Sequence, residues 1–188
     1  MRNEKLKAKL LLHACCAPCF TSVYEQLKCE FDVTIFWFNP NIYPQPEYGK
    51  RLIEVERYAK IVGVQVINIE NYKDETYSWN QLVRNYANEP EGGKRCEICI
   101  KYRLLNTAKY AKENSFDFFA TTLSVSPHKN TERINEIGKE TGAKLGIDFL
   151  ERDFEKNNGY KKSIELCKEF NIYRQNYCGC QFSQNNSK

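Results

Sequence analysis

Seven of the chain's nine cysteines fall into three tight groups. Cys15, Cys16 and Cys19 lie in "LLLHACCAPC", Cys96 and Cys99 in "KRCEIC", and Cys178 and Cys180 in "YCGC". The spacings Cys16-x-x-Cys19 and Cys96-x-x-Cys99 let two thiolates converge on one metal or cluster from a single turn of chain. Gly179 lets the backbone bend so that Cys178 and Cys180 face one site. A structural zinc and a cubane iron–sulfur cluster each take four ligands, so seven thiols are too many for one such site and one short of two. A cluster beside a second, under-ligated metal uses all seven and leaves a position open for substrate. Two other arrangements compete. One is a single structural zinc with spare thiols. The other is a redox dithiol at Cys16 and Cys19, where a helix N-terminus lowers thiol pKa, and it leaves the remaining pairs without a role. Cys29 and Cys167 stand alone and are read as buried packing residues.

The elements that must position these thiols alternate in type. Apolar or β-branched runs at Lys9–Ala14, Phe31–Asn39, Val64–Glu70 and Phe116–Ser124 read as strands. Between them, "APCFTSVYEQLK", "PEYGKRLIEVERYAKIVG" and a long segment from Lys73 to Lys112, broken by "NEPEGGKRC", read as helices. "NTERINEIGKETGAKLG" is a capped helix, "GIDFLERDF" a short strand or loop, and "YKKSIELCKEFNI" a last amphipathic helix. The alternation predicts one α/β domain over residues 1–183, mainly parallel sheet with helices on both faces, followed by a polar tail at 184–188. In such sheets ligands sit beyond the carboxyl ends of the strands, where "HACCAPC", "NPNIYPQPE" and "TTLSVSPHKN" fall.

Composition narrows the setting. The 188 residues are 41% hydrophobic and 28% charged, with a net charge of +4, which alone does not argue for nucleic acid. No apolar run approaches the roughly 20 residues of a membrane span, and the basic N-terminus lacks a signal-peptide core, so a cytoplasmic location is expected. Thiols stay reduced there, and nine cannot all pair, so metal or redox chemistry outranks disulfides.

Taken together, "LLHACCAPC", "FWFNPNIYPQPEYGKR", "GGKRCEICIKYRL", "FFATTLSVSPHKN" and "RQNYCGCQFS" closely resemble the QueH family, the cobalamin-independent epoxyqueuosine reductases. They run from Leu11 to Ser183 in the family's order. The resemblance implies a Rossmann-like, nucleotide-hydrolase-like fold and reductive removal of the epoxide oxygen of epoxyqueuosine in tRNA, leaving an alkene and water. It also implies a 4Fe-4S cluster beside a mononuclear iron, with an unidentified low-potential electron donor. Cys15, Cys16, Cys19, Cys96, Cys99, Cys178 and Cys180 would share the metals, and their division stays open; one arrangement gives the cluster Cys96, Cys99 and at least one thiol from each other group. An adenylating tRNA-thiolation enzyme would need a Gly-rich loop where "HACCAPC" stands. A zinc-stabilised, non-catalytic RNA-binding module remains the alternative.

Other residues take expectations from their places. His13, next to the first thiols, and Tyr177, beside Cys178, are candidate proton donors. Asn39, Tyr43, Thr121, Thr122, Ser124 and His128 follow strand ends and are candidate substrate contacts, Tyr43 by stacking on a base. Lys94, Arg95, Lys101, Arg103, Lys129, Arg133 and Arg174 recur beside the cysteines and suggest a basic rim for the phosphates of an anticodon loop.

Overall fold

The computed structural model describes residues 6–69, 72–156 and 158–183. Five parallel strands form one sheet: β1 (Ala8–His13), β2 (Phe31–Trp37), β3 (Val66–Asn68), β4 (Phe118–Thr121) and β5 (Asp148–Phe149), in the order β3-β2-β1-β4-β5. Six helices join and flank them: α1 (Ala17–Leu27), α2 (Gln45–Val62), α3 (Tyr72–Val83), α4 (Lys94–Glu113), α5 (Thr131–Leu145) and α6 (Gly159–Glu169). The α/β architecture expected from the sequence is therefore present. Glu70 of the predicted third strand and the predicted tail at 184–188 lie outside the described residues.

β1 shows why the sheet is buried on both sides. Successive side chains of a strand point to opposite faces. Leu10 and Leu12 enter a core with Phe20 and Val23 of α1, Val55 and Tyr58 of α2 and Cys167 of α6. Leu11, between them, enters a second core with Leu104 and Ala108 of α4, Phe119 of β4 and Ile137 of α5. An uninterrupted apolar run is what a central parallel strand requires. The chain leaves β1 towards β2 and β3 on one side and returns to β4 on the other, so the strand order reverses between β1 and β4. Open α/β sheets bind ligands at that crevice.

Two expectations need correction. Phe116–Ser124 is a strand only over Phe118–Thr121. The Thr121 hydroxyl accepts a hydrogen bond from the Leu123 amide at 3.2 Å and opens a 3-10 turn, Thr122–Val125. Cys29 is exposed, because it follows the last turn of α1 at Lys28 and lies outside that helix's buried face. Cys167 is buried, as expected.

Candidate metal centre and active-site cavity

The first thiol group occupies the β1–α1 turn. Cys16 has extended backbone and stands immediately before α1, and Pro18 pre-sets the first helical turn. The sulfurs of Cys15, Cys16 and Cys19 lie within 4.8 Å of one another, Cys15 and Cys16 at 3.9 Å. Hydrogen bonds from the other two thiols hold the Cys15 thiol well below the ordinary thiol pKa, and Cys16 and Cys19 rise correspondingly. Three soft ligands on one tight turn, at the positive end of a helix, suit a metal ion with a fourth position left free.

The second group joins α4 to the C-terminal segment. Cys99 and Cys180 share a dry cluster with Trp79, Val83 and Phe182. Cys178 lies close enough to Cys96 and Cys99 that its charge raises both thiols, although burial is the larger cause for each. These four thiols are more widely set than the first three, as a cubane, which is larger than an ion, requires.

Arg103 joins the groups. It is 2% exposed, and its Nε donates to the Cys99 carbonyl at 3.4 Å. Burial works against its charge, but the thiols of Cys99, Cys15, Cys178 and Cys96 outweigh burial and raise its pKa. A buried guanidinium is tolerated only beside compensating negative charge. Among the described residues no carboxylate forms an ion pair with it, and the negative groups that act on its charge are thiols. The donor set and its unpaired cation thus fit an anionic metal–thiolate centre.

A cavity of about 580 Å³ opens on this centre. Cys15, Cys19 and Cys178 reach it, as do Arg103, Lys129 and Arg174. His128 and Tyr177, both singled out from the sequence, also line it, together with Glu91 and Gln175, which were not. Lys129 Nζ sits 3.6 Å from Cys178 Sγ, and that sulfur's charge raises the lysine pKa. Arg174 contacts Cys167 Sγ at 3.6 Å, linking the cavity wall to α6.

The remaining candidates divide by what their polar atoms already do. His13 is fully buried. Its Nε2 faces the Phe38 carbonyl at 3.2 Å, so Nε2 carries the proton and donates; Nδ1, 3.0 Å from Thr121 Oγ1, then accepts. The imidazole fastens the ends of β1, β2 and β4 and keeps no free lone pair. Burial, and secondarily Arg103, lower its pKa from 6.5 to about 4. Below the ordinary value the unfolded chain takes up a proton that the native imidazole refuses, so stability is lost as pH falls from 6.5 towards 4. Urea unfolding of the metal-free protein should lose about 2 kcal/mol between about pH 7.5 and about pH 5, a loss that His13→Gln should lack.

Tyr177 Oη donates to the Tyr43 carbonyl, so its proton is engaged. Asn39 donates to the Ala14 carbonyl at 2.9 Å, and Ser124 to the Arg152 carbonyl at 3.2 Å. Thr121 serves His13 and Leu123, and Thr122 is fully buried. Asn39, Thr121, Thr122 and Ser124 do not line the cavity, and Tyr43 is half-exposed outside it.

The basic rim is smaller than the sequence suggests. Arg95 is 2% exposed, with its guanidinium bound to the carbonyls of Tyr86, Ala87 and Glu89, so it buttresses the loop before α4 and cannot meet a phosphate. Arg103 is withdrawn among the thiols. Arg133 is held by Glu97 at 3.0 Å and Glu136 at 2.6 Å. Lys94 pairs with Glu97 only at 3.7 Å and is largely exposed, and Lys101 is exposed.

One residue the sequence reading missed is Arg51 of α2, 1% exposed. It donates from Nε to Glu47 at 2.6 Å and from its terminal nitrogens to the Cys178 and Tyr177 carbonyls, both at 3.2 Å. It thereby fixes the Cys178–Cys180 turn, in which Gly179 has φ +118° and a Cβ would stand 2.9 Å from the guanidinium. A signal existed: Arg51 lies four residues before Val55 and seven before Tyr58, on the buried stripe of α2.

With the geometry set out, comparison with known proteins decides the family. Residues 10–186 match the family model described as epoxyqueuosine reductase QueH. The chain belongs to the QueH family. It is accordingly an oxidoreductase by family. QueH relatives named epoxyqueuosine reductase include one from Thermotoga maritima, 41% identical over 93% of this chain and 89% of its own. Another, from Streptococcus pyogenes serotype M1, is 40% identical over 96% of this chain and 72% of its own. A third, from Dehalococcoides mccartyi, is 31% identical over 94% and 92%. Among solved structures, a predicted subunit of a tRNA methyltransferase from Methanocaldococcus jannaschii covers 85% of this QueH chain and 75% of its own, with TM-score 0.51 and 15% identity, a likeness of fold alone. No helix among the described residues is long and apolar enough to cross a membrane.

Proposed function

We propose that this QueH-family chain reduces the epoxide of epoxyqueuosine in tRNA. Two electrons and two protons convert the epoxide to an alkene and water. The observation that carries this reading is that Arg103, Cys15, Cys19 and Cys178 line one cavity, while the thiols of Cys99, Cys15, Cys178 and Cys96 act together on the buried Arg103 charge. When bound, a 4Fe-4S cluster supplies electrons singly at low potential and a neighbouring iron supplies a Lewis acid. Cys96, Cys99, Cys178 and Cys180 would hold the cluster. Cys15, Cys16 and Cys19 would hold the second metal and leave the position that substrate needs.

The chain's own groups do the rest. Arg103 balances the negative charge of both thiol sets where water is excluded. Lys129 keeps a proton at Nζ on the cavity wall, and it is our candidate donor to the departing oxygen, since the protons of His13 and Tyr177 are already bonded. Lys101, Lys94 and Arg174 are the cations left to meet anticodon-loop phosphates, and the electrons come from an external low-potential donor.

Anaerobic protein reconstituted with iron and sulfide tests this directly. About four sulfides and about five irons per chain are expected, with visible absorption that dithionite bleaches and turnover of tRNA carrying epoxyqueuosine. Cys99→Ala should abolish the absorption, whereas Cys15→Ala should keep it, lose about one iron and lose turnover. Colourless protein holding one zinc and no sulfide would instead leave the RNA-binding module standing.

A further inference from the structure

The wall behind Cys99 contains a donor that nothing uses. Trp79, on α3, is 2% exposed, and its Nε1–H has no hydrogen-bond partner. An indole nitrogen can only donate, and an orphaned buried donor costs free energy comparable to a lost hydrogen bond. The side chain packs in one cluster with Cys99 and Cys180, against which Val83 and Phe182 exclude water. Tyr102 of α4 binds Glu75 of α3, and Gln181 binds Asn80 at 3.2 Å, so α3 is tied to both segments that carry these thiols. The ring is held and its N–H is left over.

We propose that the Trp79 indole N–H is the hydrogen-bond donor to the Cys99 sulfur once that sulfur is a cluster thiolate, and that this bond raises the cluster's reduction potential. The proposal rests on the cluster assignment made above for Cys99. A neutral thiol is a weak acceptor, which leaves the donor idle in the protein without metal; a thiolate is a strong one. Reduction adds negative charge to the cluster and its sulfurs, so an N–H···S bond strengthens on reduction and stabilises that state, more so in a dry surrounding. Trp79 is thus a positioning residue: it acts on electron delivery through Cys99 and touches neither the epoxide nor the cavity.

Two measurements on the reconstituted protein test this. First, with the indole nitrogens labelled with nitrogen-15, pulsed EPR of the reduced cluster should detect a coupled nitrogen in the unmodified sequence. The second tryptophan, Trp37, packs on Tyr48 in the other core and supplies no such coupling. Second, Trp79→Phe should lower the midpoint potential, so that the ratio of reduced to oxidised cluster at a fixed poise falls about fivefold, as expected for about 1 kcal/mol of differential hydrogen bonding. Val83→Ala, which loosens the same pocket but keeps the N–H, should leave both the potential and the coupling in place. No nitrogen coupling in the unmodified protein overturns the proposal, whether or not Trp79→Phe folds. An unchanged potential in a folded, cluster-loaded Trp79→Phe overturns it also. Failure of the unmodified protein to assemble any cluster would overturn the cluster assignment itself, and this inference with it.

Discussion

Replacing Arg103 by leucine is expected to lower turnover of epoxyqueuosine tRNA by at least about 100-fold, with reduced iron retention. The guanidinium is buried where four thiols act on its charge, and among the described residues no carboxylate pairs with it. Removing one side of a buried charge arrangement costs about 3–5 kcal/mol, because the other side stays desolvated and uncompensated. Here the side left behind is the thiolate charge of both groups. Each 1.4 kcal/mol is about a factor of ten, so even the lower figure exceeds two decades. Arg103→Lys should recover part of the loss: it restores the charge but concentrates it on one nitrogen, so it cannot serve both thiol sets equally. Iron and sulfide content alongside turnover separates failure to assemble the centre from failure of an assembled centre to work. A leucine variant with full iron and ordinary turnover would remove Arg103 from the mechanism.

The second large effect concerns Arg51. Arg51→Met keeps the volume and the apolar stem but removes the donors to Glu47, Tyr177 and Cys178. The Glu47 carboxylate, which also accepts from Tyr173 Oη at 3.0 Å, is then left largely buried without its cation. A cost of about 3–4 kcal/mol follows, or roughly 10 °C in melting temperature for a chain of this size. The effect should also reach the metals, since the turn bearing Cys178 and Cys180 loses its anchor. Glu47→Gln keeps an acceptor for the guanidinium and should cost distinctly less in both respects. Thermal unfolding with sulfide content on each variant checks the pair. Equal losses from both substitutions would mean that Glu47, and not the carbonyl contacts, carries the anchoring.

How far the sequence foretold this arrangement depends on the kind of force involved. The central strands were legible because their apolar runs satisfy a requirement that only a doubly covered sheet imposes; Leu10, Leu11 and Leu12 divide between two cores as the strand's period demands. The position of the site was legible for the same reason, as strand ends are where such a sheet leaves room. The thiols announced themselves by spacing. What escaped was the burial of charge. Arg95 and Arg103 read as surface cations because arginine is seldom buried unless paired. Yet Arg95, Cys99, Arg103 and Thr107 recur every fourth residue along the buried side of α4, with Leu104 and Ala108 beside them. Periodicity there outweighed residue type. The end of β4 escaped for a smaller reason: Thr121 and Thr122 favour strands, but one hydroxyl-to-amide bond turned the chain into a 3-10 turn.

The lengths of the outer strands bear on how one molecule meets another. β3 has three residues and β5 only two, whereas β1 and β2 have six and seven. A long, flat margin with unpaired N–H and C=O groups is a template on which a neighbouring chain can add a strand. These margins are stubs, so the described sheet offers such a neighbour little to pair with, and self-association by edge addition is blunted by strand length.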